Sequence, residues 1–206
     1  HYLAVCSIAK DEDPFLKEWI AYHSLLGVEH FYIYDHCSRI PIKDTLGEYV
    51  DASRVTIRRI QGTRMQLPAY HDCLKSFGDA CRWIGFIDID EFVCLAKDDD
   101  LRVMLSEFEP YGGLAATWHL FGSNGYLSRP QGLVLRNYTE AFAAQEPYTI
   151  KCFVRPDRTL QTPNPHYFRH APCWKCVHLN HLPVLPLPPR SPAIGGPIPT
   201  HHLFLT

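Results

Sequence analysis

Along the first ninety residues, short apolar runs alternate with stretches whose apolar positions recur at helical spacing. Tyr2 to Ile8 is mostly apolar, the pattern of a strand buried on both faces. Asp13 then suits a helix N-cap and Pro14 the first helical position. Phe15, Trp19, Tyr22 and Leu26 recur at spacings of four, three and four, one face of a helix, and Gly27 supplies its stop. His30 to Tyr34, Val55 to Ile60 and Trp83 to Ile87 read as three more strands, with a helix over Pro68 to Phe77. Further on, Asp100 caps a helix running to about Phe108, Gly113 to Trp118 and Thr149 to Val154 are strand-like, and Leu133 to Ala144 is expected to be helical. From Pro183 the run PVLPLPPRSPAIGGPIP sustains neither helix nor sheet. The expected organisation is therefore one domain over 1–182 and a proline-rich, disordered tail over 183–206.

Strand–helix alternation of this kind predicts a doubly wound α/β fold with a mostly parallel sheet. The carboxyl ends of its strands then share one edge, outside which ligands bind. Lys10 follows the first strand, Asp35 the second, Gln61 and Arg64 the third, and Asp88 and Asp90 the fourth. The segment WIGFIDIDEF, 83–92, carries carboxylates to the mouth of the core, where unpaired charge is costly. A positive partner or water is expected there. Placed two apart in an extended chain, Asp88 and Asp90 face one point. Two hard oxygen ligands suit Mn²⁺ or Mg²⁺, completed by substrate phosphates. Glu91 points the other way and is expected to anchor a neighbouring loop or pair with an arginine. WHLFGSNGY, 118–126, is a glycine-punctuated loop with aromatic shoulders.

Composition narrows the field. The chain has 206 residues, 46% hydrophobic and 20% charged, with a formal net charge of −2, which gives no basic footprint for nucleic acid. No apolar run approaches the roughly 20 residues that span a bilayer. The chain opens on His1 rather than Met, so a fragment is expected, with any membrane contact made through an N-terminal anchor upstream. Eight cysteines are irregularly spaced. Cys173 and Cys176 form a CxxC flanked by His170 and His178, which leaves both zinc and a disulfide open. Asn137-Tyr138-Thr139 is an N-glycosylation sequon.

Two stretches, KDEDPFLKEWIAYHSLLGVEHFYIYDHCS at 10–38 and WIGFIDIDEFV at 83–93, resemble glycosyltransferase family 92 and its family-2-like relatives of GT-A type. QLPAYHDCL at 66–74, WHLFGSNG at 118–125, KCFVRPD at 151–157 and VHLNHL at 177–182 extend the resemblance to about 182. It implies an inverting, Mn²⁺-dependent transfer of a sugar, galactose-like, from a nucleotide donor such as a UDP-sugar to a glycan acceptor. Asp88 and Asp90 match the family's D-x-D. Lys10, Asp35 and Arg64 fall where such folds grip the donor. His166 and His181 are candidates for a third metal ligand, and Glu140 for the general base. Lys151 and Arg155 are then candidates to neutralise the leaving diphosphate. Trp118 and Phe121 are candidates to stack on a sugar ring, beside Gly122 and Gly125, which permit close backbone approach. In a eukaryote the resemblance implies a Golgi-lumenal or membrane-anchored enzyme, in a bacterium a cytoplasmic one. After Asn180-His181 the chain departs from the family pattern, so a degenerate domain that only binds glycan or nucleotide is the alternative.

Overall fold

The computed structural model describes residues 1–95, 99–141, 149–184 and 203–205. Four parallel strands lie side by side in the order β3-β2-β1-β4: β1 (Leu3–Ala9), β2 (His30–Asp35), β3 (Val55–Arg59) and β4 (Trp83–Phe86). Every residue of β2 and β4 is buried, as apolar side chains on both faces require. Leu3 and Val5 pack on one face with Leu16, Trp19 and Ile20 of α1 (Asp13–Leu25). Two short helices, α2 (Ile42–Thr45) and α3 (Gly47–Asp51), lead to β3. On the other face, Ala4 and Cys6 pack with Ala69, Tyr70 and Cys73 of α4 (Gln66–Phe77). Period-two alternation thus divides one strand between two cores.

The chain winds outward from β1 to β2 and β3, then returns through α4 to place β4 on the other side of β1. The strand order therefore reverses at β1, and a crevice opens there beyond the carboxyl ends.

The second half adds β5 (Val93–Leu95), α5 (Leu101–Glu107), β6 (Gly113–Trp118), α6 (Val134–Asn137) and β7 (Ile150–Val154). β7 inserts antiparallel between β4 and β6. Gly85 is required at that seam, since a Cβ there would lie 2.5 Å from the Phe153 ring. The hairpin of β8 (Thr159–Asn164) and β9 (Tyr167–His170) stands as a separate sheet. β10 (Cys176–Val177) and β11 (Leu203–Leu205) both run parallel to β6, and β11 also pairs antiparallel with β5. With five parallel and three antiparallel pairings among the described residues, the main sheet is mixed but mostly parallel.

Three expectations need correction. The buried face of α1 is Leu16, Trp19, Ile20 and His23, with Phe15, Tyr22 and Leu26 only packed at its margin. Helix over 133–144 shrinks to the single turn of α6, while 142–148 fall outside the described residues. The proline-rich tail is not free at its ends: Pro183 bridges Val177, the Val184 amide donates to the Cys176 carbonyl, and Leu203–Leu205 joins the sheet. Residues 185–202 lie outside the described set.

Candidate active site

Past β4 the chain turns instead of continuing as strand. The Glu91 amide donates to the Asp88 carbonyl at 3.2 Å, and the Glu91 carboxylate accepts from the Asp88 amide at 2.7 Å. Ile87 and Ile89 are drawn into the core, at 0% and 1% exposure. Asp88 and Asp90 are left facing the crevice, held by a turn and not by the strand alternation expected of them. Trp19 donates its indole N–H to the Glu91 carbonyl at 2.8 Å, which ties the turn to α1.

The positive partner is Lys151. Because β7 runs antiparallel to β4, its first residues lie past the carboxyl end of β4. Lys151 Nζ sits 2.5 Å from Asp88 Oδ2 and 3.3 Å from Glu91 Oε2, with only 2% of its side chain exposed. Burial works against its charge, but Glu91 and Asp88 outweigh that and raise its pKa. Burial pushes the Glu91 carboxyl up to about 7, opposed by Lys151 and reinforced by Asp88. Glu91 anchors the turn as expected, pairing with a lysine where an arginine was anticipated. Asp88 Oδ1 accepts from Gln66 Nε2 at 3.1 Å. Asp90 is exposed, and its carboxylate has no hydrogen bond or ion pair among the described residues.

Two cavities meet at Asp90. The first, about 390 Å³, is lined by Ile8, Glu12, His36, Arg64, Met65, Gln66, Asp88, Ile89 and Asp90. The second, about 550 Å³, is bordered by Phe15, Asp90, Glu91, Trp118, Phe121, Val134, Leu135, Tyr138 and Thr139, among others. Arg64, Asp88 and Asp90 thus share one cleft, and Trp118 and Phe121 line its neighbour. Glu12, His36 and Gln66 were not anticipated. Burial and the charges of Asp90, Asp11, Asp13 and Asp88 raise the pKa of Glu12. His36 holds the loop after β3 through its Nε2, 2.7 Å from the Gly62 carbonyl. Glu12 and His36 sit just past the ends of β1 and β2, the position that singled out the other candidates, whereas Gln66 opens α4.

Other candidates are placed elsewhere. Lys10 is exposed at the end of β1 and does not line the first cavity. Asp35 is 2% exposed and accepts from the amides of Ser38 at 2.8 Å and Ile42 at 3.4 Å. It shapes a loop, as turn-forming aspartates do. Arg155 lies at the far end of β7 beside Trp83, about 13 Å of strand from Lys151. There it pairs with Glu109 at 2.5 Å and Asp157 at 2.9 Å, so it cannot meet a diphosphate at Asp90. His181 is also at that far edge, stacked on Phe108 at 5.0 Å with Nδ1 3.2 Å from the Tyr111 hydroxyl. That excludes it as a ligand of a metal held by Asp88. His166, in contrast, lies on the Lys151 side, its Nδ1 2.9 Å from the Ile150 carbonyl. Burial lowers its pKa, and the neutral ring bonded through Nδ1–H keeps a lone pair on Nε2. Glu140 is exposed, its backbone clamped to Asn124 and Gly122, and it follows directly on Tyr138 and Thr139 of the second cavity.

The CxxC does not converge: Cys173 is exposed, Cys176 is buried in β10, and all eight cysteines are free thiols. Among the described residues no group of three or more His, Cys, Asp or Glu is arranged to hold a metal ion. The donor chemistry nevertheless fits a hard divalent cation. Asp90 offers an unengaged carboxylate and Asp88 a carboxylate about one-third exposed, and such ions are commonly bound by one or two carboxylates with phosphate oxygens completing the shell.

A 3-2-1-4 parallel half-sheet with an acidic turn at its switch point defines an α/β fold of the GT-A type. The same fold is seen in residues 1–349 of S. aureus TarS, with a TM-score of 0.52 at 14% identity over 76% of this chain and 47% of that one. The family model for glycosyltransferase family 92 matches residues 1–181, and the chain belongs to that family. A family 92 protein of Oryza sativa subsp. japonica is 35% identical over 162 residues, 76% of this chain and 27% of the relative. A galactan beta-1,4-galactosyltransferase of Arabidopsis thaliana is 30% identical over 104 residues, 45% of this chain and 21% of the relative. The chain thus spans under a third of the curated relatives it matches. No helix among the described residues is long and apolar enough to cross a membrane.

Proposed function

We propose that the protein is a metal-dependent glycosyltransferase that moves a sugar, galactose by analogy with its galactosyltransferase relatives, from a UDP-sugar donor to a glycan acceptor. The observation that carries the reading is Asp90, an exposed carboxylate on a locked turn where two cavities meet. Asp88 and Asp90 would hold Mn²⁺ or Mg²⁺ together with the donor diphosphate. When bound, the ion offsets the charge growing on the departing nucleotide, worth several kcal/mol. The rest belongs to the chain. Lys151 and Glu91 fix Asp88, so the ligand geometry is set before the donor arrives. Arg64 and Gln66 border the donor cleft, and His166 is the third-ligand candidate that stays on its side. An inverting transfer needs a base for the acceptor hydroxyl, and Glu140, beside the second cavity, is the candidate.

The test is transfer from radiolabelled UDP-galactose to β-1,4-galactan oligosaccharides, with Mn²⁺ and with EDTA. Elongated product that requires Mn²⁺ is expected. Equal transfer in EDTA removes the metal, and no transfer from any UDP-sugar removes the enzymatic reading. A binding-only domain is the second reading, favoured by the Lys151 ion pair that already engages one Asp88 oxygen. It predicts UDP and Mn²⁺ binding without transfer.

A further inference from the structure

The second cavity is assembled from two unlike parts. Asp90, Glu91 and Trp118 are fixed by the sheet and the acidic turn. Its outer wall comes from the long connection between β6 and β7, through Phe121, Val134, Leu135 and Tyr138. Among the described residues, the only helix in that wall is the four-residue α6, far below the length at which a helix holds itself. Something outside must fix it.

Glu18 does so from the middle of α1. Its Oε2 accepts from the Val134 amide at 2.8 Å and its Oε1 from the Leu135 amide at 3.2 Å. These are amides that a helix start leaves without internal partners. Three residues earlier on the same helix face, the Phe15 ring carries the Arg129 guanidinium at 4.1 Å, a second tie to the same connection. Asn124 closes the wall on itself, donating to Thr139 Oγ1 at 2.9 Å and accepting from the Glu140 amide at 3.1 Å.

We propose that this cavity is an acceptor subsite for a neutral pyranose oligosaccharide, and that Glu18 is the positioning residue that sets its outer wall. The assignment rests on the glycosyltransferase reading above. Phe15, Trp118, Phe121 and Tyr138 offer aromatic faces of the kind on which the C–H faces of pyranose rings stack. The described lining includes the carboxylates of Asp90 and Glu91 and no lysine or arginine. Lys151 already pairs with Glu91, so an acidic sugar would be repelled by the Asp90 carboxylate, which has no ion-pair partner among the described residues, whereas a neutral one meets no such repulsion. Glu18 acts through Val134 and Leu135, not by touching sugar.

The experiment is isothermal titration calorimetry on the full chain with β-1,4-galactotetraose, cellotetraose and tetragalacturonate, with UDP plus Mn²⁺ titrated in parallel. The wild type should bind at least one neutral tetrasaccharide more tightly than the acidic one. Glu18→Ala should weaken the neutral saccharide at least about tenfold, as loss of charge-assisted hydrogen bonds implies, while UDP affinity stays within about twofold. Glu18→Gln keeps one carbonyl acceptor and should fall between. Unchanged saccharide affinity in Glu18→Ala overturns the role of Glu18, and so does an equal loss of saccharide and UDP. A wild type that binds no neutral tetrasaccharide, or prefers tetragalacturonate, overturns the subsite. Saccharide binding without sugar transfer leaves this assignment standing and removes the glycosyltransferase reading alone.

Discussion

Replacement of Glu109 should register clearly in the stability of the fold. Its carboxylate accepts from the Tyr2 hydroxyl at 3.0 Å, Trp83 Nε1 at 3.2 Å, Arg155 Nη1 at 2.5 Å and the Arg82 guanidinium. It thereby ties β1, β4 and β7 at the edge of the sheet opposite the acidic turn. Desolvation raises its pKa, but the hydrogen bonds from Arg82, Trp83 and Tyr2 and the charge of Arg155 outweigh it and hold the carboxyl down to about 2. A carboxylate with a depressed folded pKa contributes stability that is full above its unfolded value, near 4.3, and is lost as pH falls through the folded value. The shift corresponds to about 3 kcal/mol, with 26% of the side chain exposed. Glu109→Gln should therefore cost about 3 kcal/mol at pH 7, a fall in urea midpoint of roughly 1–2 M, and the two proteins should converge near pH 2. Urea titrations at pH 7, 4 and 2.5 measure it. A loss below about 1 kcal/mol at pH 7, or one that stays constant down to pH 2.5, would refute the argument.

Three more outcomes are expected. Asp90→Asn should cut sugar transfer by about a thousandfold, at tenfold per 1.36 kcal/mol, while leaving the melting temperature unchanged, because the side chain is exposed and unpartnered; kcat measured beside a thermal melt checks both. Lys151→Met should destabilise by about 3–5 kcal/mol, since it orphans the buried Glu91 carboxylate and releases Asp88; a denaturant titration showing less than about 1 kcal/mol would mean the pair is not formed. His181→Ala should leave Mn²⁺-dependent UDP affinity intact, whereas His166→Ala should weaken it, and calorimetry that finds the reverse would restore His181 to the proposed metal site.

Much of this architecture was legible in the amino-acid order. Apolar runs such as Tyr2 to Ile8 and Trp83 to Ile87 have no amphipathic alternative, so burial on both faces and a parallel half-sheet follow almost directly. Right-handed crossovers then send the strand ends to one edge, which is why Arg64, Asp88 and Asp90 fall in one cleft as their positions predicted. Charge was read less well. Asp35 and Arg155 sit at strand ends much as Asp88 and Asp90 do, but a strand end is a place and not a role. Asp35 spends its oxygens on two loop amides, and Arg155 lies at the wrong edge because β7 runs against β4. His181 was separated from the acids for the same reason of direction, through Tyr111 at the start of β6. Local periodicity and chain order suffice for the fold class and for the place of Asp88 and Asp90 at the switch point. The pairing of Lys151 with Asp88 and Glu91, and the hold of Glu18 on a wall more than a hundred residues away, emerge only in the folded chain. Those contacts depend on which strands run antiparallel and on where a long loop lands, and neither leaves a period in the sequence.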